Sequence, residues 1–470
     1  MTTDIDRKLF IGPRLRRLRR ELGLNQTKMA EDLGVSPSYV NLMERNQRPV
    51  SAQILLRLAD VYDIDVKSLA AAEDDRSLAE IGELMRDPLF QDLAVPAQEL
   101  RDLVESCPGV GVALQRLYQA YQQTQRQPED GKAAPPAVDP IDAVRAAIET
   151  ARNHFPELDA AAEALAGDLA AAGADLQAAL AERLQARHGV RLRIVPDEVM
   201  TGAIRRFDRH RRHLLLSEML AAPARSFHAA FQVGTLEQAE ALDAAVEAAG
   251  LADPTARRMF RVFLANYFAG AVLMPYGRFF AAAEAARYDI AVLRARFGAS
   301  FEQVCHRMTT LQRKGASGIP LHLVRTDIAG NISKRFSLSG IHIPRHSGAC
   351  PRWNIYSAFL SPERINIQLS QMPDGQRYFC IARAIAKGDH RYNAPRRYLS
   401  IGLGCSIHHA KEMIYSDGMD LAGESQVVPI GVGCRICPRM ECGQRAHPPA
   451  DHRFRLDDNM RPESLYARMG

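Results

Sequence analysis

Residues 26–45 constrain the fold more than any other part of the sequence, because their pattern predicts two short helices joined by a tight turn. Gly34 suits the positive φ that ends a helix, and Ser36 before Pro37 is typical of a helix start. The side chains expected to pack between the two helices are Met29, Ala30, Leu33, Val35, Val40 and Met43. This spacing predicts a helix-turn-helix, whose second helix enters the major groove of double-stranded DNA.

Two sets of residues around this turn are predicted to contact DNA. The set at the start and outer surface of the second helix, where base edges are reached, is Ser36, Ser38, Tyr39, Asn41 and Arg45. The set placed for phosphates is Arg14, Arg17, Gln26 and Thr27. Residues 7–69 resemble the XRE (Cro/CI-like) domain, which implies a homodimer or higher homo-oligomer on two half-sites. The alternative is a helical bundle in which the turn is accidental.

The chain has 470 residues, 47% hydrophobic and 24% charged, so it can fill roughly two to four domains. Its first twenty residues are charged and lack the apolar segment of a secretory signal. The longest uncharged apolar stretch, residues 262–277, is shorter than the roughly 18 to 20 residues that cross a bilayer. We therefore expect a cytoplasmic protein that does not enter a membrane.

Changes in composition and hydrophobic pattern divide the chain into four predicted regions. Residues 1–72 form an all-α head, and residues 73–140 form an acidic helical connector that ends in a linker. Residues 141–318 form an α+β middle domain, and residues 319–470 form a mixed α/β domain of short strands. The expected fold class is an α+β multidomain protein. The net charge of +5, concentrated at the two ends, suits nucleic acid or phosphorylated ligands, or is simply solvated surface.

The middle domain carries the remains of a metallopeptidase motif. A zincin helix needs two histidines one turn apart and a glutamate beside the first as general base. Here only His228 is left, because Ala229 replaces the base and Gln232 the second histidine. Residues 264–275 resemble the segment with which ImmA/IrrE-family metallopeptidases supply a third ligand, and Leu264 stands in its place. We expect no peptidase activity; His228 is then a core histidine or part of an apolar ligand cleft.

Six of the eight cysteines lie after residue 349, which favours a local metal site over a disulfide scaffold. Cys434, Cys437 and Cys442 form a C-x2-C-x4-C pattern, and Cys405 lies upstream. Four such thiolates fit a [4Fe-4S] cluster or a structural Zn, and the spacing does not choose between them. The alternatives are buried free thiols without metal, or a fourth ligand from His408, His409 or Cys380. We expect Cys350 and Cys380 in the core.

Nearly the whole chain resembles the short-chain fatty acyl-CoA regulator family, which joins an XRE head, a degenerate ImmA/IrrE-like domain and a cysteine-bearing tail. The motifs that carry the resemblance are FHAAFQ, ANYFAGAVLMP, GACPRWNIYSAF, YFCIARAI, IGLGCSIHHAKEMIYSDG and PIGVGCRICPRMECGQRAHP. The resemblance implies a transcription factor, not an enzyme, that senses propionyl-CoA, acetyl-CoA or a similar ester and controls short-chain fatty acid assimilation, including propionate metabolism. It also implies an iron-sulfur cluster held by Cys405, Cys434, Cys437 and Cys442.

A coenzyme A ester requires arginines for its phosphates, an aromatic surface for adenine and a small apolar pocket for the acyl group. Candidates in the tail are Arg335, Arg352, Trp353, Tyr356 and Arg383, and candidates in the middle domain are His228, Phe231 and Tyr267. The sequence does not choose between the two domains. Two other hypotheses are a metallopeptidase of the ImmA/IrrE type that acts on a partner repressor, and a regulator that senses redox state.

Overall fold

The structure is a computed structural model that divides into two compact units, with the boundary after Ala137. It describes residues 12–45, 47–62, 73–85, 87, 90, 93, 95–106, 108–126, 139–171, 173, 175–344, 349–388, 392–393, 396–448, 463–464 and 466. Within these ranges, no helix is long and apolar enough to cross a membrane. The two units are described in turn.

The first unit is all-α in its described residues, as the sequence predicts for the head and the connector. Its helices are α1 (Gly12–Glu21), α2 (Gln26–Leu33), α3 (Pro37–Glu44), α4 (Ala52–Tyr62), α5 (Glu73–Leu84), α6 (Ala97–Ser106) and α7 (Pro108–Arg126). The first four surround an apolar core formed by Leu15, Met29, Ala30, Leu33, Val40, Met43, Val50, Ile54 and Leu58. The helices α5, α6 and α7 pack on one another.

Local signals fix the turn between α2 and α3. Gly34 ends α2 with a φ of 64°, a conformation that costs a residue with a side chain extra energy. The Ser36 hydroxyl accepts a hydrogen bond from the N–H of Tyr39 at 3.1 Å, and Pro37 is the first residue of α3. The turn therefore forms as its residues predict.

The second unit opens with a helical layer and a small sheet. Its helices are α8 (Pro140–Thr150), α9 (Pro156–Ala171), α10 (Leu176–His188), α11 (Asp197–Met200), α12 (Ala222–Glu237), α13 (Ala239–Ala248), α14 (Pro254–Leu273), α15 (Tyr276–Ala285), α16 (Ile290–Phe297) and α17 (Phe301–Met308). The sheet contains β1 (Arg191–Val195), β2 (Arg205–Asp208) and β3 (His213–Ser217) in the order β1-β3-β2. The strand β1 is parallel to β3, and β2 is antiparallel to it.

A mixed sheet of six strands organises the rest of the second unit. After a hairpin of β4 (Gln312–Arg313) and β5 (Ala316–Ser317), the chain forms β6 (Leu321–Asp327), β7 (Ile332–Ser337), the short helix α18 (Asn354–Ser357), β8 (Asn366–Gln371), β9 (Arg377–Lys387), β10 (Arg397–Ser406) and β11 (Val427–Pro429). The strand order is β11-β8-β9-β10-β6-β7. The pairs are antiparallel except for β11 with β8.

The two faces of this sheet belong to different cores. On β9, Phe379 and Ile381 face the helices of the middle region, whereas Cys380 and Ala382 lie in a smaller core with Trp353. This alternation follows from the two-residue period of a strand. The larger core runs without a break from the middle helices to β10, so hydrophobic packing is continuous across residues 318 and 319.

Candidate DNA-binding surface and sensory sites

The start of α3 is exposed on the surface of the head. Ser36, Ser38 and Arg45 are exposed, and Tyr39 and Asn41 are partly exposed, as a helix that reads base edges requires. The predicted phosphate contact Thr27 is also exposed. Arg14 and Arg17 belong to α1, but their side chains lie outside the described part of the structure. These DNA contacts stay predictions.

A buried carboxylate that the sequence did not indicate holds the head helices together. Glu44, at the end of α3, accepts hydrogen bonds from Arg19 at 2.5 Å and from the Gln26 amide at 2.7 Å. Burial alone would raise the pKa of Glu44, but the bonds from Arg19 and Gln26 outweigh it and lower that pKa. Gln26, predicted to contact phosphate, is thus engaged within the protein. Glu44 therefore fixes the position of α3 against α1 and α2.

The remains of the metallopeptidase motif lie on α12. Ala229 and Gln232 on α12 and Leu264 on α14 are buried, and the Gln232 amide donates a hydrogen bond to Thr235 at 3.2 Å. Burial, together with the positive charge of Arg205, lowers the pKa of His228 to about 4. At neutral pH, His228 is therefore an uncharged side chain.

An arginine lies beside His228. The guanidinium of Arg205 stacks on Phe231, with its carbon 3.7 Å from the ring centroid. Tyr267 is engaged elsewhere: its hydroxyl donates to Asp159 at 2.6 Å and accepts the N–H of Phe155 at 3.2 Å. The three residues predicted for a cleft in this domain are therefore divided between two environments.

A buried cysteine and a buried histidine meet on the face of the six-stranded sheet that belongs to the smaller core. Cys380 on β9 and His322 on β6 both pair in register with Gly404 of β10, and the Cys380 sulfur lies 3.7 Å from Nε2 of His322. The other ring nitrogen of His322 is 2.8 Å from the Ser339 hydroxyl. Burial raises the pKa of Cys380 to about 11, against hydrogen bonds to Ser370 and Trp353. Both groups are therefore neutral in this environment.

The tail residues predicted for the effector do not form one exposed pocket. Trp353 is buried, with its ring centroid 6.2 Å from that of His322. Tyr356 accepts the N–H of Ala349, and Arg335 donates to the carbonyl oxygen of Ile343 at 3.0 Å. Arg383 pairs with Glu363 and lies 5.0 Å from the ring of Phe301. Arg352 is partly buried, and its backbone carbonyl oxygen accepts a hydrogen bond from the Gln368 amide.

The cysteine pattern forms a loop that two arginines hold in place. Buried Arg445 donates to the carbonyl oxygens of Cys434 at 2.6 Å and Cys437 at 2.7 Å, and Arg439 donates to the carbonyl oxygen of Ile430. The N–H of Ala446 lies 3.4 Å from the Cys434 sulfur. Cys434, Cys437 and Cys442 are partly exposed.

The structure brings Cys350, rather than Cys405, to this loop. Burial raises the pKa of Cys350, whereas backbone hydrogen bonds with Gly431 and Arg352 lower it. Gly431 lies beside Cys437, because a Cβ there would be 2.7 Å from the Cys437 sulfur. Cys405 instead lies in the larger core, 3.9 Å from the Met413 sulfur. In the described ranges, no three His, Cys, Asp or Glu side chains are arranged to hold a metal ion.

A charged cluster on the other face of the tail sheet was not predicted. Glu302 of α17 lies 2.7 Å from both Arg325 on β6 and Lys387 on β9, and 3.6 Å from Lys334 on β7. Its neighbour His306 lies 3.7 Å away. Burial alone would raise the pKa of Glu302, but the hydrogen bond with His306 and the charges of Lys334 and Lys387 outweigh it and hold that pKa well below its usual range. The sequence does not indicate this cluster, because only His306 is close to Glu302 along the chain. The other partners come from the three strands β6, β7 and β9.

Comparison with known proteins assigns each part of the chain. A helix-turn-helix model matches residues 15–69, the IrrE N-terminal-like domain matches residues 185–309, and the C-terminal domain of the short-chain fatty acyl coenzyme A regulators matches residues 310–466. A propionyl-CoA carboxylase regulator of Cereibacter sphaeroides is 40% identical over 462 residues, or 97% of each chain. The chain belongs to the short-chain fatty acyl-CoA regulator family.

Other regulators are similar to this family member over most of their length. The HTH-type transcriptional regulator PrpR of Mycobacterium tuberculosis is 38% identical, covering 96% of this chain and 94% of PrpR. The regulator RamB of the same organism is 36% identical, covering 98% of each chain. A solved Mycobacterium tuberculosis transcriptional regulator is 40% identical with a TM-score of 0.65, and the match covers 70% of this chain and 100% of that one.

These matches confirm the predicted series of a helix-turn-helix head, an IrrE-like middle domain and a C-terminal domain of helices and sheets. The short-chain fatty acyl-CoA regulator described here is therefore a helix-turn-helix transcriptional regulator. Its IrrE-like domain keeps His228 but has Ala229 and Gln232 where the peptidase motif has its glutamate and second histidine.

Proposed function

We propose that this protein is a sequence-specific DNA-binding regulator that responds to a short-chain acyl-CoA, such as propionyl-CoA or acetyl-CoA, and controls genes of short-chain fatty acid assimilation. The observation that carries the proposal is the exposed start of α3 on a head held rigid by Glu44. The names of the relatives, which include a propionyl-CoA carboxylase regulator, support propionate metabolism as the process controlled. The protein acts as a homodimer whose two recognition helices meet two half-sites.

Effector binding belongs to the second unit in this proposal. Acyl-CoA binding favours one arrangement of the dimer, and therefore one spacing of the recognition helices, by its difference in affinity for the two arrangements. Arg352 is a candidate for the phosphates because its side chain is partly exposed. Trp353 and Tyr356 pack in the smaller core rather than forming a stacking surface for adenine, since their polar groups are hydrogen-bonded within the protein.

The second part of the proposal is a metal centre that would draw Cys350, Cys434, Cys437 and Cys442 together around the metal, since these described side chains are not arranged to hold an ion without it. Thiolates suit an iron-sulfur cluster or Zn, and backbone N–H groups such as that of Ala446 stabilise thiolate charge. Gly431 leaves room beside these sulfurs, because a Cβ there would lie 2.7 Å from the Cys437 sulfur. A [4Fe-4S] cluster would supply one-electron redox chemistry, whereas Zn would only brace the loop. The partial exposure of the three cysteines favours redox sensing as a second candidate function.

A gel-shift titration on the protein's own promoter region tests the regulatory proposal. Arg45→Ala should weaken specific binding by ~1–3 kcal/mol if Arg45 contacts a base. Arg101→Ala, which removes the same charge from an exposed position on α6, should leave the binding curve unchanged. Propionyl-CoA should shift the wild-type curve; identical curves with and without it would contradict sensing, and identical anaerobic and air-oxidised curves would contradict redox control.

A further inference from the structure

Two positive charges face each other across neighbouring strands of the tail sheet. Lys334 on the edge strand β7 pairs in register with Arg325 on β6, an arrangement that is normally destabilising. Glu302 compensates for it, but Lys387 adds a third cation at the same carboxylate. The cluster therefore keeps excess positive charge, and the Lys334 side chain is 45% exposed. An anionic molecule can reach this lysine.

The surroundings of Lys334 lower the pKa of its ammonium group. Its Nζ lies 3.2 Å from Nε2 of His306, close enough for the imidazole to accept a hydrogen bond from it. Burial, Lys334 and Arg325 lower the pKa of His306 to about 4, so the ring is neutral and available as an acceptor. The pKa of Lys334 is lowered by its packing against these side chains and by the charges of Arg325 and Lys387, against the opposing effect of Glu302.

We infer that Lys334 is an acyl-acceptor site, whose ε-amine takes the acyl group of a short-chain acyl thioester. The inference rests on the proposed function, because the acyl-CoA effector is also the acyl donor. A lysine that is accessible, next to a neutral hydrogen-bond acceptor and surrounded by cations has the features of an activated amine nucleophile. The same cations attract the phosphates of coenzyme A.

The reaction is a transfer from sulfur to nitrogen. The ammonium of Lys334 first loses one proton to solvent, and the neutral His306 ring accepts a hydrogen bond from the resulting amine. The neutral amine then attacks the thioester carbonyl carbon, an amide C–N bond forms, and the C–S bond breaks. The second proton of the amine leaves with the sulfur as the free thiol of coenzyme A. The product has lost the charge of Lys334, which removes its repulsion with Arg325 and its attraction to Glu302.

Mass spectrometry of the full-length protein after incubation with propionyl-CoA tests the inference. Lys334 should gain a propionyl group several times faster than Lys314, an exposed lysine in the β4–β5 hairpin that serves as the internal control. A propionyl thioester of N-acetylcysteamine, which lacks the phosphates, should retain the preference for Lys334 but react more slowly. Equal labelling of Lys334 and Lys314 would overturn the inference.

Two variants separate activation from simple exposure. His306→Gln should slow the labelling of Lys334 and leave that of Lys314 unchanged. Arg325→Gln should raise the pKa of Lys334, and the pH at which its labelling rate is half-maximal should move upward. An unchanged pH profile in Arg325→Gln would show that the cluster only stabilises the sheet, contrary to the inference.

A gel shift distinguishes failure of this inference from failure of the proposed function. If propionyl-CoA changes the DNA binding of Lys334→Arg as it does that of wild type, and no propionyl group appears on Lys334 in the wild-type protein, reversible sensing stands and acylation is wrong. If wild type is labelled at Lys334 but its DNA binding does not respond to propionyl-CoA, the acceptor site stands and the sensing proposal is wrong.

Discussion

Gly404 lets two side chains meet across the strand that lies between them. A Cβ at this position would lie 2.5 Å from the carbonyl oxygen of Phe379 and 2.6 Å from Cε1 of His322. Gly404→Ala should therefore lower the free energy of unfolding by ~1–3 kcal/mol through overpacking. Denaturant unfolding of the full chain measures the change.

Gly270→Ala is the matched control for this substitution. Gly270 lies within α14, and a Cβ there would have no neighbour within 4 Å. In a helix interior, alanine is more favourable than glycine by roughly 0.5–1 kcal/mol. Equal unfolding midpoints for the two alanine variants would contradict the close approach at Gly404.

Glu44 should be more important for stability than its position at a helix end suggests. Glu44→Gln leaves Arg19 without its carboxylate and weakens the link among α1, α2 and α3. We expect a loss of about 1–3 kcal/mol in unfolding free energy and weaker DNA binding. Glu31→Gln, at an exposed side chain 3.7 Å from Lys28, should change either quantity little, by less than ~1 kcal/mol. Calorimetry measures the unfolding free energy, and gel shifts on the same samples measure DNA binding.

Buried histidines should make the protein sensitive to acid. Burial lowers the pKa of His322 to about 3, whereas an unfolded histidine titrates near ~6.5. The unfolded chain therefore binds more protons below that pH, so the stability from neutral His322 is complete above pH ~6.5 and is lost as pH falls toward 3. His322 alone contributes at most about 1.4 kcal/mol per pH unit.

Unfolding midpoints at several pH values between neutral and mildly acidic conditions should show this slope. In His322→Gln the slope should be smaller, because one proton-binding group is removed from the unfolded chain. His408→Gln, at an exposed position, should keep the wild-type slope. A slope unchanged in His322→Gln would mean that His322 is already protonated in the folded protein.

Most of what could be predicted about the head came from residues that are close to one another in the sequence. Gly34, Ser36 and Pro37 act on neighbouring backbone groups, so the turn forms where they stand. The contact of Glu44 with Arg19 joins residues 25 positions apart, and that of Cys380 with His322 joins residues 58 apart. No local pattern specifies such pairs, because the fold alone brings them together.

At the level of elements, strand register decides which cysteines can meet. Cys405 and Cys380 lie on neighbouring strands but belong to different cores, because their positions alternate between the two faces of the sheet. The sequence identified the C-x2-C-x4-C loop. It does not show which face of the six-stranded sheet carries the further cysteine that is proposed to join this loop. Knowing that face requires the strand pairing, which spacing along the chain does not contain.

The metal proposal therefore predicts different results for two cysteines. Cys350→Ala should lower the iron, sulfide or zinc bound per chain after anaerobic purification, because Cys350 is hydrogen-bonded to the backbone of Gly431, next to Cys437. Cys405→Ala should leave the metal content unchanged, although it removes a buried side chain packed on Met413. Metal analysis, with absorbance near ~400 nm for iron-sulfur, reports the outcome. Loss of metal in Cys405→Ala alone would restore the ligand set expected from the family resemblance.

On the scale of the whole molecule, the middle and tail regions form one folded body. The larger core spans both, and contacts such as that of Arg287 with Asp417 at 2.7 Å join them at the surface. The sequence predicts both regions, with a boundary between residues 318 and 319. Composition changes there because helices give way to strands, while packing continues across the change.

The division after residue 137 therefore offers a suitable junction for chimeras with relatives. A chimera with PrpR of Mycobacterium tuberculosis joined between residues 137 and 138 keeps each core with its own partners, and we expect gel filtration to recover it as a folded protein. One joined between residues 318 and 319 combines two halves of a core from different proteins, and we expect it to aggregate. Equal recovery of both would contradict the continuous core. Under the proposed acyl-CoA response, effector specificity would be exchanged together with the IrrE-like domain, because that domain and the tail share one core.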